Sequence, residues 1–73
     1  MQLRIYSLEG TVFEGETNEV SLPSTDGEIT ILKNHIPLIT TLKAGNLKFE
    51  GQTIPVKGGF AEIGADKVVV LVS

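Results

Sequence analysis

The chain has 73 residues, of which 41% are hydrophobic and 21% charged, and it contains no cysteine. That length predicts one small domain over residues 1–73, and the missing cysteines exclude disulfide bonds, a thiolate nucleophile and cysteine-ligated metal. Six basic and nine acidic residues give a net charge of −3, which disfavours a general nucleic-acid binder. No signal peptide or membrane-spanning run is recognisable, so we expect neither export nor a membrane span.

The charges are unevenly distributed along the chain. Residues 1–32 carry six acidic residues and one basic residue, or −5, whereas residues 33–73 carry five lysines and three acidic residues, or +2. The acidic half is either an ordinary solvated surface or a patch that steers the chain onto a basic partner. Charge counting leaves both interpretations open.

Short runs of alternating apolar and polar residues predict β-strands, because the side chains of a half-buried strand repeat every two residues. In chain order the runs cover Leu3–Ser7, Val20–Leu22, Ile29–Ile31, Leu47–Phe49 and Ile54–Val56. Glycine-containing turn signals separate them, and no window has the apolar periodicity of a long helix. The pattern is typical of an all-β fold, a β-sandwich or barrel.

The end of the chain predicts a hairpin. Phe60–Ile63 and the run Val68–Val72 flank a turn at Gly64-Ala65-Asp66. Because Val68–Val72 is apolar on both faces, we expect a central strand or an interface strand that is covered on both sides.

Few residues offer catalytic or metal-binding chemistry. His35 is the only histidine and lacks the further ligands of a zinc site. Asp26 and Glu28 share one face of a strand, where paired carboxylates can do acid–base chemistry, but a charged turn is the simpler interpretation. Gly58-Gly59 fits a phosphate contact or, more simply, a backbone bend. We therefore predict no catalytic residue, no cofactor and no metal.

Five short motifs follow one another in a fixed order. They are Val12–Gly15, the turn Asp26-Gly27-Glu28, the H-x-P-L sequence His35–Leu38, the L-x-x-G turn Leu42–Gly45, and Gly58–Glu62. In this order and spacing they closely resemble the N-terminal domain of the epsilon subunit of F-type, proton-translocating ATP synthase. The resemblance extends from about Leu3 to Ser73, nearly the whole chain.

The resemblance implies a flattened β-sandwich of about ten short strands, in agreement with the alternation. It also implies a non-catalytic subunit of the central stalk, or rotor, that links the gamma subunit to the ring of c subunits and couples proton translocation to ATP synthesis or hydrolysis. Other subunits of the catalytic head would be indirect partners. The implied location is the cytoplasmic face of a bacterial inner membrane, or the stromal face of a plastid thylakoid.

The resemblance implies a contact with the c-ring. Glu28, with Asp26 and Gly27 in the same turn, matches the acidic position that faces the polar loops of the ring, which carry arginine in this family. A charge-assisted pair would fix the register of that contact.

The resemblance also implies a contact with gamma. Ser7, His35 and Thr40 match positions that face it. For His35 the alternative interpretation is a loop imidazole that hydrogen-bonds to the neighbouring backbone. We further expect gamma to complete the cover of Val68–Val72.

The sequence departs from the family pattern in three places. Lys33-Asn34 stands where Pro-Gly often precedes the histidine, and Thr30 stands where glycine is frequent, so we expect the loop geometry to differ in detail. Family members usually continue into a two-helix hairpin that inhibits hydrolysis and in some bacteria binds ATP. No such hairpin is present, so we expect neither property from these residues.

Two other classes of function serve as alternatives. A stand-alone β-barrel binding module would need a basic, aromatic-rich face, whereas this chain has four aromatic residues and an acidic first half. A small hydrolase would need a nucleophile paired with a base, and no such set can be assembled here.

Overall fold

The computed structural model of the protein describes residues 1–73 and contains nine β-strands and no helix. The strands are β1 Gln2–Ser7, β2 Gly10–Glu16, β3 Glu19–Ser24, β4 Gly27–Leu32, β5 Leu38–Leu42, β6 Gly45–Phe49, β7 Gln52–Val56, β8 Gly59–Ile63 and β9 Lys67–Val72. The prediction of an all-β fold with short strands is confirmed. No helix is long and apolar enough to cross a membrane.

The predicted runs lie in β1, β3, β4, β6 and β7, and the predicted hairpin is β8–β9. Alternation does not reveal β2 and β5. In β2 only Phe13 and Gly15 are even half-buried, and in β5 the apolar Ile39 points outward with 69% of its surface exposed. Hydrophobicity therefore does not follow burial in these two strands.

The strands form one sheet that curls on itself. Their order is β2-β1-β9-β8-β5-β3-β6-β7, with β4 added beside β3. Only β1 and β9 run parallel. We call β2, β1, β9, β8 and β5 the first sheet half, and β4, β3, β6 and β7 the second. One residue pair, Ser24 with Leu42, joins β3 to β5, and we call this junction the seam.

The hydrophobic core fills the space between the two sheet halves. Phe13 of β2 also packs on Phe49 of β6, with 4.5 Å between ring centroids, which links the far strand of the first half to the second. The core consists of 14 buried side chains: Met1, Leu3, Ile5, Val20, Leu22, Ile31, Leu42, Leu47, Phe49, Val56, Ala61, Ile63, Val68 and Val70.

Strand β9 is central, as predicted, because it pairs with β1 on one side and with β8 on the other. The expectation of cover on both faces is not met within the chain. Val68 and Val70 are fully buried, whereas Val69 is half-buried and Leu71 keeps 40% of its surface exposed. One face of β9 thus belongs to the core and the other lies at the surface.

The β6–β7 turn is held by an acidic side chain. Glu50 and Gly51 both have positive φ, 47° and 75°, which a two-residue hairpin turn of this hand requires. The Glu50 carboxylate accepts the backbone N–H of Asn18 at 2.9 Å, and the Thr17 hydroxyl lies 2.9 Å from the same oxygen. These two hydrogen bonds, the Asn18 one first, hold the pKa of Glu50 below its ordinary value of 4.5.

Replacing a core leucine tests how much the two sheet halves depend on the core. Leu47 is fully buried, so we expect Leu47→Ala to lower the free energy of unfolding by about 2–5 kcal/mol through lost burial and a cavity. Urea unfolding measures the change. The matched control is Leu8→Ala, whose side chain is 99% exposed and should change stability by less than about 0.5 kcal/mol. Equal losses in both variants would contradict the assigned core.

The low pKa of Glu50 predicts a stability difference that depends on pH. A depressed carboxylate pKa stabilises the fold above the unfolded-state pKa, and this contribution disappears as the pH falls through the folded-state pKa. Glu50→Gln should therefore melt at a lower temperature than the parent near neutral pH, and the difference should shrink below pH 4.5. Glu9→Gln, which removes a carboxylate on an exposed turn, serves as the control. A difference that persists unchanged into acid would contradict the role of the charge.

Candidate functional site

The predicted acidic turn joins β3 to β4. Ser24 pairs with Gly27 across a two-residue loop, and Gly27 has a φ of 125°, which glycine adopts without strain. The backbone N–H of Asp26 donates to the Ser24 hydroxyl at 3.2 Å, and the Asp26 side chain is exposed. The local sequence thus builds a tight turn that presents two carboxylates, Asp26 and Glu28, to solvent. We call Asp26, Gly27 and Glu28 the charged turn.

Glu28 has one internal partner. Its carboxylate lies 3.6 Å from the Lys48 ammonium of β6, and the two side chains keep 56% and 54% of their surface exposed. An ion pair this exposed contributes about 0–1 kcal/mol. The carboxylate therefore remains able to accept hydrogen bonds from another molecule.

The three residues matched to gamma-facing positions do not form one patch. Ser7 ends β1, whereas the Asn34–His35 loop is tied to the β8–β9 turn by a hydrogen bond from Asn34 N–H to the Ala65 carbonyl at 2.8 Å. The β8–β9 turn, to which the His35 loop is tied, leads into the start of β9, and β9 runs parallel to β1. The His35 loop therefore lies near the start of this strand pair, whereas Ser7 lies at its end. Thr40 lies in the middle of β5, and its hydroxyl is 3.0 Å from that of Ser24, beside the charged turn.

His35 makes local contacts with its own loop. Its Nδ1 lies 2.7 Å from the Ile36 carbonyl, to which it donates, and its backbone N–H donates to Leu32 at 3.2 Å. This is the hydrogen bonding that the alternative interpretation of His35 anticipates. The ring is half-buried and the neighbouring Ile36 is 79% exposed.

A second surface lies on the outside of the first sheet half. In successive strands, Tyr6 pairs with Leu71, and Leu71 with Phe60, so these side chains form a row across β1, β9 and β8. In the next row, Arg4 and Glu62 flank Val69, and Ile39 follows Glu62. We call the apolar and aromatic members of the two rows, Tyr6, Phe60, Leu71, Val69 and Ile39, the outer apolar face; Phe60, Leu71 and Ile39 keep 44%, 40% and 69% of their surface exposed. Sequence reasoning found only its β9 part, through the two-faced Val68–Val72 run.

The remaining candidate chemistry has structural explanations. A Cβ at Gly59, which has a φ of 135°, would collide with the Leu71 carbonyl, so glycine there permits close strand pairing. This supports the backbone-bend interpretation of Gly58-Gly59. No group of three or more His, Cys, Asp or Glu side chains is arranged to hold a metal ion.

Fold and surface together define a small, curled β-sandwich domain that exposes the charged turn and the outer apolar face. A family model described as the ATP synthase delta/epsilon chain, beta-sandwich domain, matches residues 1–73. The chain belongs to this family.

Relatives of known sequence agree with this assignment. The chain is 42% identical to the ATP synthase epsilon chain of Synechococcus sp. (strain CC9605), of which it spans 57%. It is 39% identical to the chloroplastic ATP synthase epsilon chain of Gracilaria tenuistipitata var. liui, of which it spans 58%. Both alignments cover the whole of this chain, so it corresponds to somewhat more than half of each relative.

Solved structures share the fold at low sequence identity. A chain in the cryo-EM structure of the Tetrahymena thermophila mitochondrial ATP synthase central stalk and c-ring superposes with a TM-score of 0.84 at 14% identity, over 99% of this chain and 62% of that one. A chain of the Euglena gracilis mitochondrial ATP synthase gives 0.85 at 21% identity, over 96% and 48%. These likenesses support the sandwich architecture.

Proposed function

We propose that this chain is a non-catalytic part of the central stalk of an F-type ATP synthase, linking gamma to the c-ring and coupling proton translocation to ATP synthesis and hydrolysis. The observation that carries the proposal is the match of the delta/epsilon β-sandwich family to all of residues 1–73. The proposed location follows from the partners: the periphery of the membrane that holds the ring, at the cytoplasmic face in a bacterium or the stromal face in a plastid.

The charged turn is the proposed contact with the c-ring. Glu28 is exposed and its internal ion pair with Lys48 is weak, so a cationic side chain of a partner loop can share or replace Lys48 at little cost. An arginine would bind the carboxylate through two parallel hydrogen bonds, which fix the orientation of the contact. Gly27 holds the turn in the conformation that presents Glu28.

The outer apolar face is the proposed principal contact with gamma. Leu71 and Phe60 are neighbours in the sheet and both are about two-fifths exposed, so covering them removes apolar surface from water. Ser7, at the end of β1, alternates with Tyr6 and so lies on the side of Ile5; it faces gamma in this proposal only if gamma also reaches the β1–β2 end of the sheet. Thr40 and His35 face gamma in this proposal only if gamma also reaches the edge formed by β5 and the loop before it.

Reversing the charge of Glu28 tests the proposed ring contact. Glu28→Lys should weaken association with the ring by roughly tenfold, since a charge-assisted hydrogen bond of about 1.5 kcal/mol is lost. Proton-driven ATP synthesis in reconstituted vesicles should fall, while the melting temperature of the chain stays unchanged because the position is exposed.

The charge-matched control for this experiment is Glu19→Lys. Glu19 is also exposed, on β3, but lies five residues before the seam at the far end of the strand. Undiminished synthesis with Glu28→Lys, or an equal loss with Glu19→Lys, would contradict the proposed role of the charged turn.

A charge placed in the outer apolar face tests the gamma contact. Leu71→Lys should weaken binding to isolated gamma by roughly tenfold or more, since it exchanges about 1.5 kcal/mol or more of apolar burial for a buried charge. Titration calorimetry measures the affinity. Asn46→Lys, an exposed change on β6 of the second sheet half, should leave the affinity unchanged. Equal affinities for the parent and Leu71→Lys would remove this face from the proposed interface.

A further inference from the structure

Four hydroxyl side chains meet at the seam between the sheet halves. The Ser24 and Thr40 hydroxyls lie 3.0 Å apart, and so do those of Thr25 and Thr41. Sixteen residues separate the partners in each pair. We call these four residues the hydroxyl clasp.

The two pairs lie on opposite faces of the sheet. Ser24 is buried with 2% of its surface exposed and Thr40 is half-buried, so this pair closes the inner side of the seam. Thr25 and Thr41 are both exposed and close the outer side. Cross-strand Thr–Thr and Thr–Ser hydrogen bonds stabilise a strand pair.

The inner pair connects the turn to the backbone of β5. The Thr40 hydroxyl lies 3.3 Å from the Thr41 carbonyl, which only accepts, so Thr40 donates there and accepts from Ser24. The Ser24 oxygen in turn accepts the backbone N–H of Asp26. A continuous series of hydrogen bonds therefore runs from Asp26 in the charged turn, through two hydroxyls, to β5.

Backbone hydrogen bonds at the seam are few. The Thr25 N–H donates to the Thr41 carbonyl at 3.1 Å, and the Lys43 N–H donates to the Pro23 carbonyl at 2.8 Å. With one residue pair in the ladder, the seam has less backbone pairing than any other strand junction described, each of which has at least two pairs. Side-chain hydroxyls thus supply a large share of the hydrogen bonding there.

We propose that the hydroxyl clasp positions the charged turn, so that force applied at Glu28 passes across the seam into β5 and the first sheet half. This inference rests on the proposed function for what the turn contacts. Ser24, Thr25, Thr40 and Thr41 act as positioning residues: they hold the turn against β5, while Glu28 makes the contact.

The first test measures opening of the seam in the chain itself, by amide hydrogen exchange. The double variant Thr40→Val, Thr41→Val removes two hydroxyls and keeps the β-branched shape, whereas Thr40→Ser, Thr41→Ser keeps the hydroxyls. In the valine variant the Thr25 and Lys43 amides should exchange roughly fivefold faster or more, the equivalent of one lost hydrogen bond. In the serine variant their rates should stay near the parental values, and in the valine variant the increase at Thr25 and Lys43 should exceed that at Val70, whose core amide reports global unfolding. Equal exchange rates of the Thr25 and Lys43 amides in the parent and the valine variant would overturn the proposed role of the clasp.

The second test measures coupling in the assembled synthase. The valine variant should lower proton-driven ATP synthesis and the serine variant should restore it, although both chains fold and assemble. Glu28→Lys is measured in parallel. If Glu28→Lys lowers proton-driven ATP synthesis and the valine variant does not, the proposed role of the clasp is overturned and the proposed function stands. Loss with the valine variant alone would show that the clasp does not act through Glu28, which overturns the inference. If neither variant lowers ATP synthesis, both the ring contact at Glu28 and the passage of force across the seam are overturned.

Discussion

The structure depends on β3, the strand of the second sheet half that joins it to the first. Val20 and Leu22 of β3 lie in the core, and the strand pairs with β4 and β6. Its last residue, Ser24, pairs with Gly27 of β4 and also with Leu42 of β5. That single pair between β3 and β5 joins the two halves of the curled sheet, and the core lies between them. The charged turn begins two residues after Ser24, so its position is set by the same junction.

One consequence is that the two proposed contact surfaces are separate parts of one sheet. Alternation along β9 sends Val68 and Val70 into the core and leaves Val69 and Leu71 outside, where they join the outer apolar face. The charged turn lies at the seam, on the border with the second half. The seam, with its hydroxyl pairs, lies between the charged turn and the strands that carry the apolar face.

The sequence predicted those features that depend on local pattern. Strands whose hydrophobic residues alternate with burial, such as β1 and β3, were recognised, and so were the turn at Asp26-Gly27 and the exposure of its carboxylates. Alternation does not predict β5, because Ile39 is apolar and exposed. It does not predict β2, because that strand lies at the edge of the sheet with little burial. The separation of Ser7 from His35 and the hydroxyl clasp depend on long-range register, which no short window of sequence contains. The resemblance assigned Ser7, His35 and Thr40 to one partner without showing that they lie on different parts of the sheet.

In the proposed assembly the charged turn meets the c-ring while the outer apolar face meets gamma. Because the chain has no cysteine, a single introduced thiol carries a photo-crosslinker at one defined position. We would place it at Glu28→Cys and at Leu71→Cys in separate assembled synthases and identify the attached subunits by mass spectrometry. We expect attachment to c from position 28 and to gamma from position 71. Attachment to gamma from position 28 and to c from position 71, or to neither subunit from both, would contradict the proposed assembly.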